Sequence, residues 1–295
     1  MRICVFGAGS LGSAVGGILA SVHEVVLVGR RTHMGAIREH GLVMSGSVRR
    51  TVLVKTSESV RGLSPPDLLI LTTKAYDTEA AVKACRVWSS GSTKVLTLQN
   101  GLGNLERLRS WKGADAFGGT TTLGAALLSP GQVRVSGLGT TAIGGDLDAR
   151  GAEKIADAFT LCGLRCEVVK DIDEAIWSKA VVSACINPLT AILRVPNGDL
   201  LKSDVILRFM DELCDECVAI CRCRGLRLSS KKLSTRVREV AHDTSRNRSS
   251  MLQDIERGRR TEIDHINGAF AEIGEAAKVP VPLNRTLTAI IRSLE

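Results

Sequence analysis

At 295 residues, 44% hydrophobic and 24% charged, the chain has the makeup of a globular protein large enough for two domains, and disorder is excluded. The net charge of +8 fits an anionic small ligand better than nucleic acid, because one Tyr and five Phe offer few stacking rings and the basic residues are dispersed. Nine scattered cysteines, an odd number, read as reduced thiols, not as a disulfide framework.

The first apolar run, Arg2 to Phe6, leads into Gly7-Ala8-Gly9-Ser10-Leu11-Gly12 and then a small-residue helical stretch from Ser13 to Ala20. Because the chain opens directly on this motif, no leader pattern is expected. No later stretch reaches roughly 18 uninterrupted apolar residues, so the expectation is a cytoplasmic protein with no membrane partner. A second run, Val25 to Val28, ends at Gly29-Arg30-Arg31 and completes a strand-helix-strand unit. Further strands are predicted at Leu68 to Thr73 and Val95 to Leu98, with a helix near Thr78 to Val87 between them. Alternation of this kind implies a doubly wound, mainly parallel sheet. Two long strands follow, Ala116 to Leu128 and Gln132 to Ile143, joined by a hairpin turn at Ser129-Pro130-Gly131. Beyond Asp171 the periodicity is helical, with segments at Glu174 to Ala184, Ser203 to Arg224, Lys231 to Ala241, Arg248 to Ala277 and Leu283 to Leu294. The predicted fold is an α/β Rossmann domain over residues 1–168 and an all-helical domain over 169–295.

Gly-x-Gly-x-x-Gly is a weak motif alone, but here it follows a strand and opens a helix. In that setting Gly7 permits the tight turn, Gly9 lets the backbone approach a pyrophosphate, and Gly12 allows close helix–strand packing. The second strand ends without the acidic residue that would take a ribose hydroxyl. Arg30 and Arg31 stand there instead and suit a 2′-phosphate, which predicts NADP(H) over NAD(H), the bland reading being two solvated surface arginines. Lys74 and Asn100-Gly101 fall at the carboxyl ends of successive strands, where open α/β sheets place ligands; alone they would also pass for ordinary loop residues. Cys214, Cys217 and Cys221 recur at helical spacing with Cys223 beyond them. Core packing is preferred to a redox or metal role, since no second ligand pair accompanies them, and no metal is expected.

The glycine motif, Lys74, Gln99-Asn100-Gly101, Lys179 through Asn187-Pro188-Leu189-Thr190-Ala191, Ser249-Ser250-Met251-Leu252-Gln253-Asp254, Glu262-Ile263-Asp264 and Pro280-x-Pro282-x-Asn284 occur in an order that resembles the ketopantoate reductase (2-dehydropantoate 2-reductase) family across nearly the whole chain. The resemblance implies reduction of 2-dehydropantoate by NADPH, with Lys179 as general acid and Glu262 assisting it. It implies cofactor contacts from Gly7, Ala8, Gly9, Ser10, Leu11, Gly12, Arg30, Arg31, Lys74 and Asn100, and substrate contacts from Asn100, Lys179, Ser183, Asn187 and Ser250. It leaves Asn284 open between a cofactor contact and a cap of the last helix, and it allows a homodimer. One departure stands out: four residues before Asn187 the family pattern has an asparagine, and this chain has Ser183. That leaves open a paralogue acting on another small 2-oxo acid; a different alternative is a non-catalytic NADP-binding regulatory protein, against which the presence of both Lys179 and Glu262 argues, since a sensor needs neither.

Overall fold

Short runs of β-branched and leucine residues build the strands Arg2–Phe6, Glu24–Val28 and Leu68–Leu71, and a glycine follows each of the first two. The computed structural model describes residues 1–88, 93–111, 113–145 and 149–295. In chain order the first half comprises β1 (Arg2–Phe6), α1 (Ser10–Leu19), β2 (Glu24–Val28), α2 (Arg31–His40), β3 (Leu42–Gly46), β4 (Arg50–Val52), β5 (Lys55–Ser57), β6 (Leu68–Leu71), α3 (Thr78–Cys85), β7 (Lys94–Thr97), α4 (Asn104–Arg109), β8 (Asp115–Thr121), β9 (Gly124–Ser129), β10 (Gln132–Gly137), β11 (Thr140–Gly144), α5 (Ala149–Thr160) and β12 (Arg165–Val168). The helical half comprises α6 (Ile172–Leu193), α7 (Asp204–Cys223), α8 (Ser230–Asp243), α9 (Ser250–Glu256), α10 (Asn267–Ala276) and α11 (Pro282–Leu294).

Eight strands form the main sheet in the order β12-β11-β8-β7-β6-β1-β2-β5, with β11 antiparallel to β8 and the other pairs parallel. The expected doubly wound sheet is present. β6 and β2 flank β1 on opposite sides, so the chain reverses its direction of winding there and leaves the crevice such folds use for ligands at the carboxyl end of β1. A second sheet, β4-β3-β10-β9, packs on α1, whose residues Gly12 to Leu19 are all buried. The expected hairpin at Ser129-Pro130-Gly131 joins β9 to β10. Each of the two long strands predicted around it is divided in two, however. β8 and β11 belong to the main sheet while β9 and β10 belong to the second. Two-residue alternation runs on through such a corner, so the pattern cannot show a change of sheet.

The chain divides into two compact units, Met1–Gln99 with Asn104–Asp173, and Asn100–Gly103 with Glu174–Glu295. By compactness the division falls after Asp173, and Asn100–Gly103, two residues beyond the end of β7, group with the helical unit.

In that unit Trp177, Val181, Ala184 and Cys185 of α6 enter a core with Leu213, Cys217 and Ile220 of α7 and Phe270 of α10. By length and composition α6 could cross a membrane, but 56% of its apolar window is buried inside the protein, as expected of a core helix. Two helix predictions need correction. α6 continues past Ala184 with Pro188 inside it. The single helix expected from Arg248 to Ala277 is broken into α9, a 3-10 turn at Ile263–His265, and α10. The break begins at Gly258, whose φ of +58° an L side chain rarely adopts. Cys214, Cys217 and Cys221 are fully buried in the core, and Cys223 at the end of α7 is exposed.

Candidate active site

In the first unit the glycine turn is shaped by what its neighbours leave no room for. Gly7 has φ +103°, and a Cβ there would overlap the Thr73 amide and lie 2.8 Å from the Thr72 carbonyl carbon. A Cβ on Gly12 would overlap the Thr72 hydroxyl and the Gly7 carbonyl. Gly9 is different: a Cβ there would meet only the Gly7 carbonyl oxygen, at 3.8 Å. Gly7 and Gly12 thus answer to packing, while Gly9 faces open space at the N-terminus of α1, where backbone N–H groups attract an anion. Ala8 is buried and, with Gly7, donates its backbone N–H to the Val28 carbonyl at 2.9 Å. The Ser10 hydroxyl accepts from the Leu127 amide at 3.0 Å, and Leu11 packs against the core. Arg30 and Arg31 are exposed at the start of α2, just beyond β2. Lys74 is half-buried at the start of a 3-10 turn after β6.

One organiser of this region carried no role in the sequence reading. Gln99 donates from Nε2 to the Thr73 carbonyl (3.1 Å), the Thr73 hydroxyl (3.0 Å) and the Thr78 hydroxyl (2.8 Å), tying the end of β7 to the loop after β6. Thr72 donates to the Gly7 carbonyl at 3.0 Å, so the same loop braces the glycine turn. A glutamine just past an apolar strand was the available signal.

The helical unit gathers a second set. Lys179, Ser183 and Asn187 stand at intervals of four on α6 and therefore share one face, all three half-buried. Lys179 donates from Nζ to Asn100 Oδ1 at 3.0 Å. Loss of hydration lowers its ammonium from the usual 10.5 to about 8, and the charge of Glu262 works in the opposite direction. Glu262 is buried just ahead of the turn Ile263–His265. That turn also holds Asn100's segment, since Leu102 donates its N–H to the His265 carbonyl at 2.8 Å. Lys179, Asn100 and Glu262 are therefore brought together from three distant parts of the chain. Ser250 is exposed in the first turn of α9. Its neighbour Ser249, which the sequence reading gave no role, is buried, caps that helix by accepting from the Leu252 amide at 3.0 Å, and accepts from the Thr190 hydroxyl at 2.7 Å. Asn284 is fully buried, donates to Glu216 at 2.8 Å and accepts from Asn267 at 3.0 Å. It lies in the first turn of α11, whose N-cap position is Val281 without a side-chain cap, so Asn284 is not the cap of that helix.

A doubly wound sheet with a glycine turn at its switch point defines the first unit as a Rossmann-type dinucleotide-binding fold, here joined to a helical unit that holds a desolvated lysine. Residues 3–146 match the family described as ketopantoate reductase PanE/ApbA, and residues 171–295 match its C-terminal domain. The chain belongs to the ketopantoate reductase family. It is 39% identical to a 2-dehydropantoate 2-reductase of Pyrococcus horikoshii and 38% to one of Archaeoglobus fulgidus, in each case over 100% of this chain and 98% of the relative. Among solved structures, a PanE/ApbA family ketopantoate reductase from Ralstonia eutropha JMP134 superposes with a TM-score of 0.93 at 32% identity, covering 100% of this chain and 98% of that one. D-mandelate dehydrogenase, solved with NADH and anilino(oxo)acetate, superposes with a TM-score of 0.94 at 28% identity and the same coverage.

Proposed function

We propose that the protein reduces 2-dehydropantoate to pantoate with NADPH. The observation that carries the reading is Lys179, an ammonium lowered to about 8 by desolvation, held by Asn100 and facing the charge of Glu262. Reducing a ketone requires a hydride at carbon and a proton at oxygen, and an acid titrating near working pH suits the second task. When bound, the reduced nicotinamide supplies the hydride. The first unit's residues fit such a cofactor: Gly9 leaves the backbone open beside the N-terminus of α1, and the exposed guanidiniums of Arg30 and Arg31 suit a 2′-phosphate. Lys74 is the further cofactor contact of this unit. In the helical unit Lys179 holds the proton destined for the keto oxygen, and Glu262 orients the ammonium and keeps it charged to higher pH than burial alone would allow. Asn100, Ser183, Asn187 and Ser250 offer amide and hydroxyl groups to a 2-oxo acid's carboxylate and hydroxyl oxygens. The full-length relatives named 2-dehydropantoate 2-reductase support the same reading.

A second reading, reduction of a different 2-oxo acid, is favoured by Ser183, which offers a shorter side chain with one amide donor fewer than asparagine. The fold also matches D-mandelate dehydrogenase closely. Oxidation of NADPH by the purified protein, compared across 2-dehydropantoate and a panel of branched and aromatic 2-oxo acids, decides between them. Preference for 2-dehydropantoate supports the first reading, and turnover confined to other acids supports the second. In the first case Ser183→Asn changes kcat/KM for 2-dehydropantoate by less than about tenfold, the scale of one net hydrogen bond. Absence of turnover with every acid overturns both.

A further inference from the structure

Pro188 lies inside α6 and has no N–H, so the helical hydrogen bond to the carbonyl four residues earlier, that of Ala184, cannot form. A buried carbonyl left in that state is costly. The missing donor comes from elsewhere: Asn267, the first residue of α10 and fully buried, donates from Nδ2 to the Ala184 carbonyl at 3.2 Å. The same nitrogen donates to Asn284 Oδ1 at 3.0 Å. Two acceptors on one side fix which way the amide faces. The other side gains nothing, because Asn267 Oδ1 is buried with no partner among the described residues. Packing alone would favour an apolar side chain there, so the need the residue answers lies on its donor side.

The place of that bond matters. Asn267 follows Glu262 by five residues across the turn Ile263–His265, and Ala184 follows Lys179 by five on α6. At the middle of the segment, the His265 carbonyl accepts from Leu102, two residues beyond Asn100. A Cβ on Gly101 would overlap that carbonyl, so the two strands of chain lie in direct contact. One short segment thus carries Glu262, is fastened to Asn100's loop at His265, and is fastened to Lys179's helix at Asn267.

Resting on the proposed reading of Lys179 and Glu262, we infer that Asn267 is a positioning residue for this reaction: by supplying the donor that Pro188 withholds from Ala184, it sets the register of Glu262 against Lys179. Loss of that register weakens the charge interaction that raises the Lys179 ammonium and leaves desolvation to lower it further.

The test uses the full-length protein as Asn267→Ala, Pro188→Ala and the double variant. Alanine at position 188 restores a backbone N–H able to reach the Ala184 carbonyl. Asn267→Ala is expected to lower kcat by about tenfold or more with little change in KM for NADPH, because it misplaces a catalytic pair without touching the cofactor's unit. The basic limb of its pH profile moves below that of the wild type. In the double variant, kcat and the limb return toward the Pro188→Ala single variant, which is the reference for that comparison. If Asn267→Ala yields no soluble protein, the double variant alone is decisive: soluble, active protein supports the inference and its absence overturns it. A folded Asn267→Ala protein with unchanged kcat and limb overturns it, and so does a loss that Pro188→Ala fails to relieve. Titration of Lys179 by NMR of isotope-labelled lysine reads the same shift without turnover. A wild type inactive toward every 2-oxo acid would therefore count against the reaction while leaving this inference measurable.

Discussion

A general acid that titrates near 8 leaves a mark on the pH profile that an ordinary lysine does not. With Lys179 at about 8, roughly nine-tenths of the enzyme carries the proton at pH 7 and roughly one-tenth at pH 9, so kcat/KM for the 2-oxo acid should fall by about tenfold over that interval. A lysine at the usual 10.5 would lose only about 3% across the same range. Replacement of Glu262 by Gln removes the charge that opposes desolvation, so the limb moves to lower pH and the variant loses most of its activity near neutrality. Lys179→Ala removes the limb and costs about 10²- to 10⁴-fold in kcat, the usual range for a positioned acid. The assay is initial-rate NADPH oxidation from about pH 6 to pH 10 in buffers of constant ionic strength, with folding checked by circular dichroism at each pH. A profile flat to about pH 9.5, or full turnover by Lys179→Ala, would refute the assignment.

Replacing Arg30 and Arg31 together with neutral residues should raise KM for NADPH by about ten- to a hundredfold, as expected for lost charge-assisted hydrogen bonds, and leave KM for NADH nearly unchanged; equal effects on the two cofactors would contradict the 2′-phosphate reading. Gly9→Ala and Gly12→Ala should part company: the former melts like the wild type but binds dinucleotide poorly, because its Cβ meets only the Gly7 oxygen at 3.8 Å. The latter, pushed into Thr72 and the Gly7 carbonyl, loses about 1–3 kcal/mol of stability, visible as a lower Tm. His33 accepts from the Gly131 amide at Nδ1 and so carries its proton at Nε2, facing the Ser13 hydroxyl at 2.9 Å, and burial holds its pKa below 6.5. As pH falls through about 6.5 the unfolded chain takes up a proton that the folded chain resists, so stability drops until the folded pKa is passed. Denaturant titrations of the wild type and of His33→Gln should show that slope in the former and its loss in the latter.

What the sequence disclosed follows the range of the interactions involved. The β1–glycine turn–α1 unit was legible because its signals lie within twenty residues and each has a steric cause, now seen in the crowding at Gly7 and Gly12. The break between α9 and α10 was not, because Gly258 is an isolated glycine in a run whose apolar spacing continues on both sides, and helices tolerate such residues. Nor was the continuation of α6 beyond Ala184. Proline ordinarily marks an end, and the amide that makes it harmless here stands 83 residues beyond the Ala184 carbonyl it serves. The assignment of Asn100–Gly103 to the helical unit has the same origin, since its hydrogen bonds reach Lys179 and His265. Motif resemblance could name Lys179, Glu262 and Asn100, but only the fold shows what holds them at hydrogen-bonding and electrostatic range.

That arrangement works against folding, which is itself informative. A fall from 10.5 to about 8 corresponds to about 3 kcal/mol of preference for the neutral amine, an upper bound because Lys179 keeps some exposed surface. At neutral pH the folded chain still carries the ammonium, but at that cost relative to the same group in water. Ala180, Val181, Ala184 and Cys185 on the same helix show that small apolar residues pack well there. An apolar residue at 179 together with Gln at 262 would remove both buried charges, and stability alone would favour that pair. Under the proposed reading of Lys179 and Glu262, the cost of the charged pair is stability given over to proton transfer.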